Sequence, residues 1–160
     1  MKPKPKPKLD PKPKPKPKSK SKPNILIVDD DEDIVRILSI FLESRGYACQ
    51  SGVSGAQGAI EFDLSDFALV ITDLNMPCGD GISLIERIRR TSEVPVIIVT
   101  AFRKEYADKV RYLRGVTVLS KPIDTEALLD LIMVELAMTG DKPGRAHPAG
   151  ANRTTSTRSK

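Results

Sequence analysis

Short runs of consecutive apolar residues alternate along the chain with longer segments of helical periodicity. The runs are rich in Ile and Val and too short for helices; they cover residues 25–28, 69–71, 96–99 and 116–119. A strand that is apolar at every position is typical of a parallel sheet covered by helices on both faces. Residues 47–50 form a weaker run, which suits a strand at the edge of that sheet.

Each apolar run is followed by a segment with the 3.6-residue period of an amphipathic helix. The first has its predicted apolar face at Ile34, Ile37, Leu38, Phe41 and Leu42, with Gly46 as a stop. The other four faces comprise Ala56, Ala59 and Ile60; Ile82, Ile85 and Ile88; Tyr106, Val110 and Leu113, closed by Gly115; and Leu128, Leu131, Ile132 and Leu136, preceded by the candidate N-cap Asp124. Five strand–helix repeats predict a doubly wound α/β domain with right-handed crossovers.

Charge is segregated along the 160 residues, although the net charge is only +5. Ten lysines and one aspartate give residues 1–23 a charge of +9, residues 139–160 carry +4, and residues 24–138 carry −8. We expect a disordered Lys-Pro arm over 1–23, an acidic domain over 24–138 and a disordered basic tail over 139–160.

The remaining composition excludes several classes of protein. Cys49 and Cys78 are the two cysteines, and their wide separation argues against a disulfide framework and for a reducing compartment. No segment reaches the roughly 18 apolar residues of a membrane span. No apolar stretch follows the charged start, which argues against a secretory signal. These features favour a cytoplasmic protein.

Polar residues follow the predicted strands where each one ends. Asp29, Asp30 and Asp31 follow the first, Asp73 and Asn75 the third, Thr100 the fourth, and Ser120 and Lys121 the fifth. The carboxyl ends of parallel strands form one rim, and ligands of open α/β sheets bind there.

Clustered carboxylates at such a rim repel one another unless a cation lies among them. Oxygen ligands suit Mg²⁺, which uses one or two carboxylates, waters and a phosphate. Capping of the first helix is the other explanation, and it accounts for Asp31 and Asp33 better than for Asp29 and Asp30.

Asp73 ends the third predicted strand and is the candidate nucleophile. A carboxylate can form an aspartyl phosphate when a metal, a cation such as Lys121 and a donor such as the Thr100 hydroxyl surround it. A strand-end aspartate that starts a turn before Pro77 is the alternative. Lys121 precedes Pro122, so their peptide bond can be cis at modest cost; an ordinary strand end with a solvated lysine is the alternative there.

Four motifs in this order resemble the receiver domain of two-component response regulators. They are residues 25–32, with the acidic run after the first strand; 73–81, Asp-Leu-Asn-Met-Pro-Cys-Gly-Asp-Gly; 95–101, ending in Val-Thr-Ala; and 120–122, Ser-Lys-Pro. The resemblance covers about residues 24–138 and implies a flavodoxin-like sheet of order 2-1-3-4-5 with five helices.

The resemblance also implies the roles of individual residues. Asp73 would be the phosphorylation site, Asp29 and Asp30 the acidic pair that holds Mg²⁺, and Asn75 a ligand through its backbone carbonyl. Lys121 would contact the phosphoryl group, and Thr100 would move to hydrogen-bond it. Small Ala101 would leave access to the site. The resemblance therefore implies a signalling module that catalyses only its own Mg-dependent phosphorylation and dephosphorylation.

One position departs from the family pattern. The family usually has Tyr or Phe three residues before the lysine, and this chain has Val118. The aromatic relay to the face of the fourth helix, fifth strand and fifth helix is therefore not expected in its usual form. Phe102 could instead affect water access to the phosphate.

The kind of phosphodonor follows from the lack of a histidine in residues 24–138. His147 is the only histidine and lies in the tail, so the phosphodonor must be a sensor histidine kinase or a histidine phosphotransfer protein. The output is expected to be a contact with another, unidentified protein. The Lys-Pro arm could bind phosphates of nucleic acid or an anionic lipid surface; we expect a solvated tail, because no aromatics are interleaved for stacking. A phosphatase using Asp73, or a receiver-like scaffold tethered to nucleic acid, are the competing interpretations.

Overall fold

Five strands and five helices alternate along the chain in a computed structural model that describes residues 22–77, 81–101 and 106–139. The strands are β1 (Asn24–Val28), β2 (Ala48–Gly52), β3 (Leu69–Thr72), β4 (Val96–Thr100) and β5 (Val116–Ser120). The helices are α1 (Glu32–Ser44), α2 (Gly55–Leu64), α3 (Gly81–Arg89), α4 (Ala107–Val110) and α5 (Thr125–Thr139). Cys78, Phe102 and nearly all of the two predicted arms lie outside the described residues.

The strands form one parallel sheet of order β2-β1-β3-β4-β5. The order confirms the predicted doubly wound fold, and the weak run at 47–50 is confirmed as part of an edge strand, β2. Val28 pairs with Thr72 and Thr72 with Ile98, so the carboxyl ends of the central strands lie at one level. Residues that immediately follow these strands therefore share one rim.

Side chains of alternate strand positions enter two separate cores. Leu26, Val70 and Ile98 pack on the side of α2 and α3, with Val110 of α4 at its margin. Ile25, Ile71 and Ile97 pack on the opposite side, against α1 and α5. Burial on both faces explains why β1, β3 and β4 are apolar without alternation.

Four expectations about burial are wrong. Ile37, Ala56 and Ile60 were placed on buried helix faces, yet Ala56 is exposed and the two isoleucines are each 58% exposed. Val35 takes the buried place on α1, one turn before Leu38. On α2 the chain approaches β1 through Gly58, where an added Cβ would lie 2.7 Å from a methyl of Val28. The residues of β5 are only half-buried or exposed, because this strand has a neighbour on one side alone.

The predicted helix ends are largely confirmed. The Asp31 carboxylate accepts hydrogen bonds from the backbone N–H groups of Asp33 and Ile34 at the start of α1. Asp124 does the same for Glu126 and Ala127 before α5. Gly46 follows α1 with φ of 94°, a region that favours glycine. Gly115, with φ of 62°, does not close the fourth helix as expected, because α4 already ends at Val110 and Gly115 directly precedes β5. Within the described ranges, no helix has the length and apolar character needed to cross a membrane.

Candidate functional site

The structure places the predicted site residues at the carboxyl rim of the sheet. Asp29 directly follows β1, Asp73 follows β3, Thr100 ends β4 and Lys121 follows β5. Backbone hydrogen bonds continue the sheet through these positions: the Asp73 N–H donates to the Val28 carbonyl at 2.9 Å, and the Lys121 N–H donates to the Thr100 carbonyl at 3.0 Å. The sheet itself therefore sets the height of each side chain.

The Lys121 ammonium lies between two buried carboxylates. Its Nζ donates to Oδ2 of Asp29 and to Oδ2 of Asp73, both at 2.8 Å. Asp29 is 4% exposed and Asp73 is 8% exposed, while the lysine side chain retains 19%. One partly accessible cation thus pairs with two carboxylates that are almost completely removed from water.

Both carboxylates also accept hydrogen bonds from the backbone. Oδ1 of Asp73 accepts from the N–H groups of Leu74, at 2.6 Å, and Asn75, at 3.3 Å. Oδ1 of Asp29 accepts from the Asp31 N–H at 2.9 Å. The orientation of each carboxylate is therefore fixed by neighbouring peptide groups as well as by Lys121.

The balance between burial and pairing differs between the lysine and Asp29. Burial raises the pKa of Asp29 above its usual range, and this effect exceeds the opposing hydrogen bonds and charge of Lys121. For Lys121, burial alone would lower the pKa, but hydrogen bonds and charges from Asp29 and Asp73 outweigh it and raise the pKa. Among the described residues of the site, one ammonium thus pairs with two carboxylates.

Asp30 adds a third carboxylate to this group. One oxygen from each of Asp29, Asp30 and Asp73 lies within 4.8 Å of the others, and Asp30 is exposed. Asn75 is exposed beside the rim, two residues after Asp73. Three hard oxygen donors so close together, one open to solvent, match the chemistry of a Mg²⁺ site.

Other predicted residues have separate places. Thr100 is fully buried at the end of β4, opposite Ser120 in register. Asp33 forms an ion pair with Arg36 on α1, in keeping with a role in the helix start rather than in the cluster. The Lys121–Pro122 peptide bond is cis, as the sequence allowed. Val118 is half-buried against the core on the α2–α3–α4 side.

Two neighbours of Asp73 were not given a role from the sequence. The buried Thr72 hydroxyl donates to the backbone carbonyl of Asp73 at 2.9 Å. A Cβ on Gly81 would overlap that same carbonyl oxygen, so only glycine lets α3 start here. A hydroxyl within the otherwise apolar run 69–72 was the available signal for Thr72, whereas the contact of Gly81 needs the fold.

A family model agrees with this geometry. Residues 25–133 match the model described as the response regulator receiver domain. The chain is 36% identical over 122 residues to the uncharacterized transcriptional regulatory protein YkoG of Bacillus subtilis, covering 74% of this chain and 53% of the relative. It is 36% identical over 130 residues to the DNA-binding dual master transcriptional regulator RpaA of Synechocystis, covering 78% and 53%. The chain therefore spans about half the length of these relatives.

Solved structures give the same result. The receiver domain of the hybrid histidine kinase CckA superposes with a TM-score of 0.61 at 28% identity, covering 71% of this chain and 98% of that one. A CheY-like receiver domain protein of Methanospirillum hungatei gives 0.70 at 25% identity, covering 74% and 96%. The family match, residues 25–133, lies outside both predicted arms.

Proposed function

This chain belongs to the response regulator receiver family, and from that premise we propose that its acceptor is Asp73 and that Mg²⁺ binds beside it. Family membership makes it a signalling module of two-component systems. One observation in particular supports Asp73: the Lys121 ammonium joins its carboxylate to that of Asp29 at the end of two buried strands. Asp73 is thus a buried carboxylate beside a cation, the arrangement that a phosphorylated carboxylate needs.

The proposed reaction is transfer of a phosphoryl group between a nitrogen and an oxygen. A carboxylate oxygen of Asp73 attacks the phosphorus of a phosphohistidine, and the P–N bond breaks with its electron pair remaining on the imidazole. Lys121 and the Thr100 hydroxyl stabilise the charge on the phosphoryl oxygens. Water later attacks the same phosphorus, which releases inorganic phosphate and restores the carboxylate.

The acidic cluster is the proposed metal site. Asp29, Asp30 and Asp73 would supply carboxylate oxygens to the ion, and the backbone carbonyl of Asn75 would supply a neutral one. The fit rests on charge as well as on donor type, because in the described part of the rim Lys121 pairs with Asp29 and Asp73 while Asp30 adds a third carboxylate to the cluster. A bound Mg²⁺ would neutralise negative charge on the phosphoryl oxygens.

The histidine that donates the phosphoryl group belongs to another protein. His147 is the only histidine in the sequence and lies 26 residues beyond Lys121. We propose a sensor histidine kinase or a histidine phosphotransfer protein as the donor, and the cytoplasm as the compartment. The output is a contact with a further protein, which reads the phosphorylated state.

We propose a two-state switch as the link between site and output. Phosphorylation adds negative charge at the rim, Thr100 and the residues after it shift toward that charge, and the packing of α4 changes. A partner that binds the shifted face more tightly stabilises the phosphorylated state by the same factor.

The first experiment incubates the full chain with acetyl phosphate and Mg²⁺ and measures intact mass under native conditions. We expect a gain of about 80 Da, the mass of one phosphoryl group. Asp73→Asn should abolish the gain. Asp130→Asn, which removes an exposed aspartate of α5, should keep it. A gain that persists in Asp73→Asn would contradict the proposal, and turnover of many phosphate esters would indicate the phosphatase alternative.

The second experiment tests the metal site by titrating Mg²⁺ in a calorimeter without phosphodonor. Asp30→Asn should weaken Mg²⁺ binding by about 10-fold or more, because it removes one carboxylate ligand. Asp33→Asn changes the charge of the same segment by the same amount, but its carboxylate pairs with Arg36. Equal weakening by both variants would show that general charge, rather than ligation, determines the affinity.

A further inference from the structure

The side chain of Arg89, the last residue of α3, connects this helix to the start of β5. We define residues 106–114, which contain α4 and lead to β5, as the α4 segment. We propose that Arg89 is a conformational clamp, which holds the carboxyl end of the α4 segment so that the change caused by phosphorylation stays within residues 106–110. The inference rests on the proposed phosphorylation of Asp73 and concerns how far its effect extends.

The Arg89 guanidinium donates hydrogen bonds to three backbone carbonyls. Nε donates to the Arg114 carbonyl at 2.8 Å, and the two terminal nitrogens donate to the carbonyls of Gly115 at 2.9 Å and Ser92 at 3.2 Å. Arg114 and Gly115 are the last two residues before β5, and Ser92 follows α3. A guanidinium presents its donors in a rigid planar fork, so these contacts favour one orientation of the strand start relative to α3.

The charge of Arg89 is directed at backbone rather than at a carboxylate. Within the described ranges, Arg89 forms no ion pair. Burial lowers the pKa of Arg89, and the negative charge of Glu93 opposes this effect. An arginine nevertheless stays protonated at neutral pH. Since hydrogen bonds from a charged donor are stronger than those between neutral groups, the carbonyls before β5 are held firmly.

The backbone of Gly115 is the point where α3, β4 and β5 meet. Its carbonyl accepts from Arg89 and also from the Val96 N–H, at 3.1 Å, at the start of β4. Its φ is 62°, and an added Cβ would lie 3.2 Å from Nη2 of Arg89. A glycine here therefore allows both the left-handed backbone and the close approach of the guanidinium.

The remainder of the α4 segment is held less firmly. The helix α4 has four residues, none of them buried, and Tyr106 before it makes no side-chain capping hydrogen bond. A cleft of about 270 Å³ lies between the end of α3 and this segment, lined by Glu86, Arg89, Arg90, Tyr112, Leu113 and Arg114. Elements with few buried contacts open at low free energy, so the α4 segment is suited to move.

The clamp sets where such a movement ends. In the proposed switch the movement begins beside Thr100, on the amino side of the α4 segment. Arg89 holds the other side at Arg114, and α3 itself is fixed by Ile85 and Ile88, which are buried in the core. The start of β5 therefore keeps its position in both states.

Hydrogen–deuterium exchange of the full chain, measured by mass spectrometry with and without acetyl phosphate and Mg²⁺, tests the clamp. In the unchanged sequence we expect phosphorylation to alter exchange at 106–110 and to leave exchange at 111–117 within about 2-fold. Arg89→Lys keeps the charge but replaces the fork by a point donor. Exchange at 111–117 should then be about 10-fold faster before phosphorylation, because hydrogen bonds from a charged group are lost, and it should change again on phosphorylation.

The matched control is Arg90→Lys, the same substitution at the next residue, whose side chain is exposed. Equal exchange at 111–117 in Arg89→Lys and Arg90→Lys would overturn the proposal. An effect of phosphorylation at 111–117 in the unchanged sequence as large as that at 106–110 would also overturn it. Faster exchange of β3 in Arg89→Lys, to the same degree as at 111–117, would show a general loss of stability instead of a released clamp.

Intact mass of the same samples separates this inference from the proposed function. Arg89→Lys should still gain about 80 Da, the mass of one phosphoryl group, because Arg89 lies at the end of α3 away from Asp73. An unchanged sequence that gains no mass would contradict the proposed function. Exchange of the unphosphorylated variants then decides the clamp: faster exchange at 111–117 in Arg89→Lys alone supports it, and equal exchange refutes it.

Discussion

The central strands and the edge strands of this sheet differ in how firmly they hold the site. Every residue of β3 is buried, and Asp73 at its end accepts hydrogen bonds from two backbone N–H groups. The residues of β5 are half-buried or exposed, and the lysine that follows reaches Asp73 with a long side chain. The carboxylate is thus positioned by packed backbone, while its cation comes from the more exposed edge.

This difference separates two requirements of a switch. A phosphorylated residue must keep a fixed geometry for in-line transfer, which buried central strands provide. The groups that respond to it must be able to move, and elements with fewer buried contacts open at lower free energy. The edge that carries β5 and the short α4 meets the second requirement.

The largest expected effect tests what the β5 edge contributes to the labelling reaction through Lys121. Lys121→Met removes the cation that joins Asp29 and Asp73, and we expect the initial rate of acetyl phosphate labelling to fall by about 10²–10³-fold, as when a transition-state donor is deleted. Lys109→Met, on α4, should leave the rate nearly unchanged. A loss below 10-fold would mean that the central strands hold the reactive geometry without the edge.

The next largest effect tests how the central strand β3 and the start of α3 hold Asp73 in position for labelling. Gly81→Ala forces a methyl group against the Asp73 carbonyl, so α3 or Asp73 has to move. We expect a stability loss of about 1–3 kcal/mol and labelling slower by about 10²-fold, since a displacement near 1 Å has such consequences. Gly46→Ala is the control, because it strains a positive φ where no atom lies within 4 Å. Unchanged labelling in folded Gly81→Ala would contradict the role given to β3.

The alkylation rate of the Cys49 thiol on β2 measures how exposed the opposite edge of the sheet is to solvent. Burial raises the pKa of Cys49 to about 11. Its charged form is the disfavoured one, so at pH 8 the thiolate fraction is about 0.1%, against about 25% for a free cysteine. The greater nucleophilicity of a high-pKa thiolate offsets part of this, and we expect alkylation in Cys78→Ser about 20-fold slower than for a model thiol.

The pH dependence of Cys49 alkylation is a second test of its raised pKa. The rate should rise about tenfold per pH unit from pH 7 to 10, because thiolate remains a minor species throughout this window. Iodoacetamide modification followed by mass spectrometry measures it. A rate that levels off near pH 8.5 would show that β2 is as accessible as an unfolded segment.

The smallest expected effect tests whether the Thr72 hydroxyl on β3 helps to position Asp73. Thr72→Val keeps the shape but removes the hydroxyl that donates to the Asp73 carbonyl. We expect labelling to slow by about 3- to 10-fold, in line with one lost hydrogen bond of about 1 kcal/mol. Thr72→Ser should restore most of the rate. Equal rates for Val and Ser would show that packing, and not this hydrogen bond, determines the position of the acceptor.

The fold was largely accessible from sequence because its signals are local and repeated. Runs such as 96–99 predict two-sided burial, and Gly46 and Asp124 end or begin helices through their own backbone or side chain. It was harder to predict from sequence which single positions are buried. Ile37 and Ile60 have the spacing of a buried face, but the rotation of each helix on the sheet is set by contacts such as Gly58 with Val28.

The candidate site was predictable to the level of which strand ends contribute. Asp29, Asp73 and Lys121 meet because parallel strands end together, which needs only their order along the chain. The contacts of Thr72 and Gly81 with one carbonyl depend on how α3 approaches β3, and spacing carries no information about that approach.

The three hydrogen bonds of Arg89 have a mechanical consequence. Two of them tie the end of α3 to Arg114 and Gly115, just before β5, and the third goes to Ser92, so the segment from Tyr106 to Arg114 is anchored at its carboxyl end. In the proposed switch, a displacement that starts beside Thr100 would be largest at the Tyr106 end of this segment and would decrease toward the anchored end. We therefore expect a protein that distinguishes the two states to contact residues near Ala107 rather than those near Arg114.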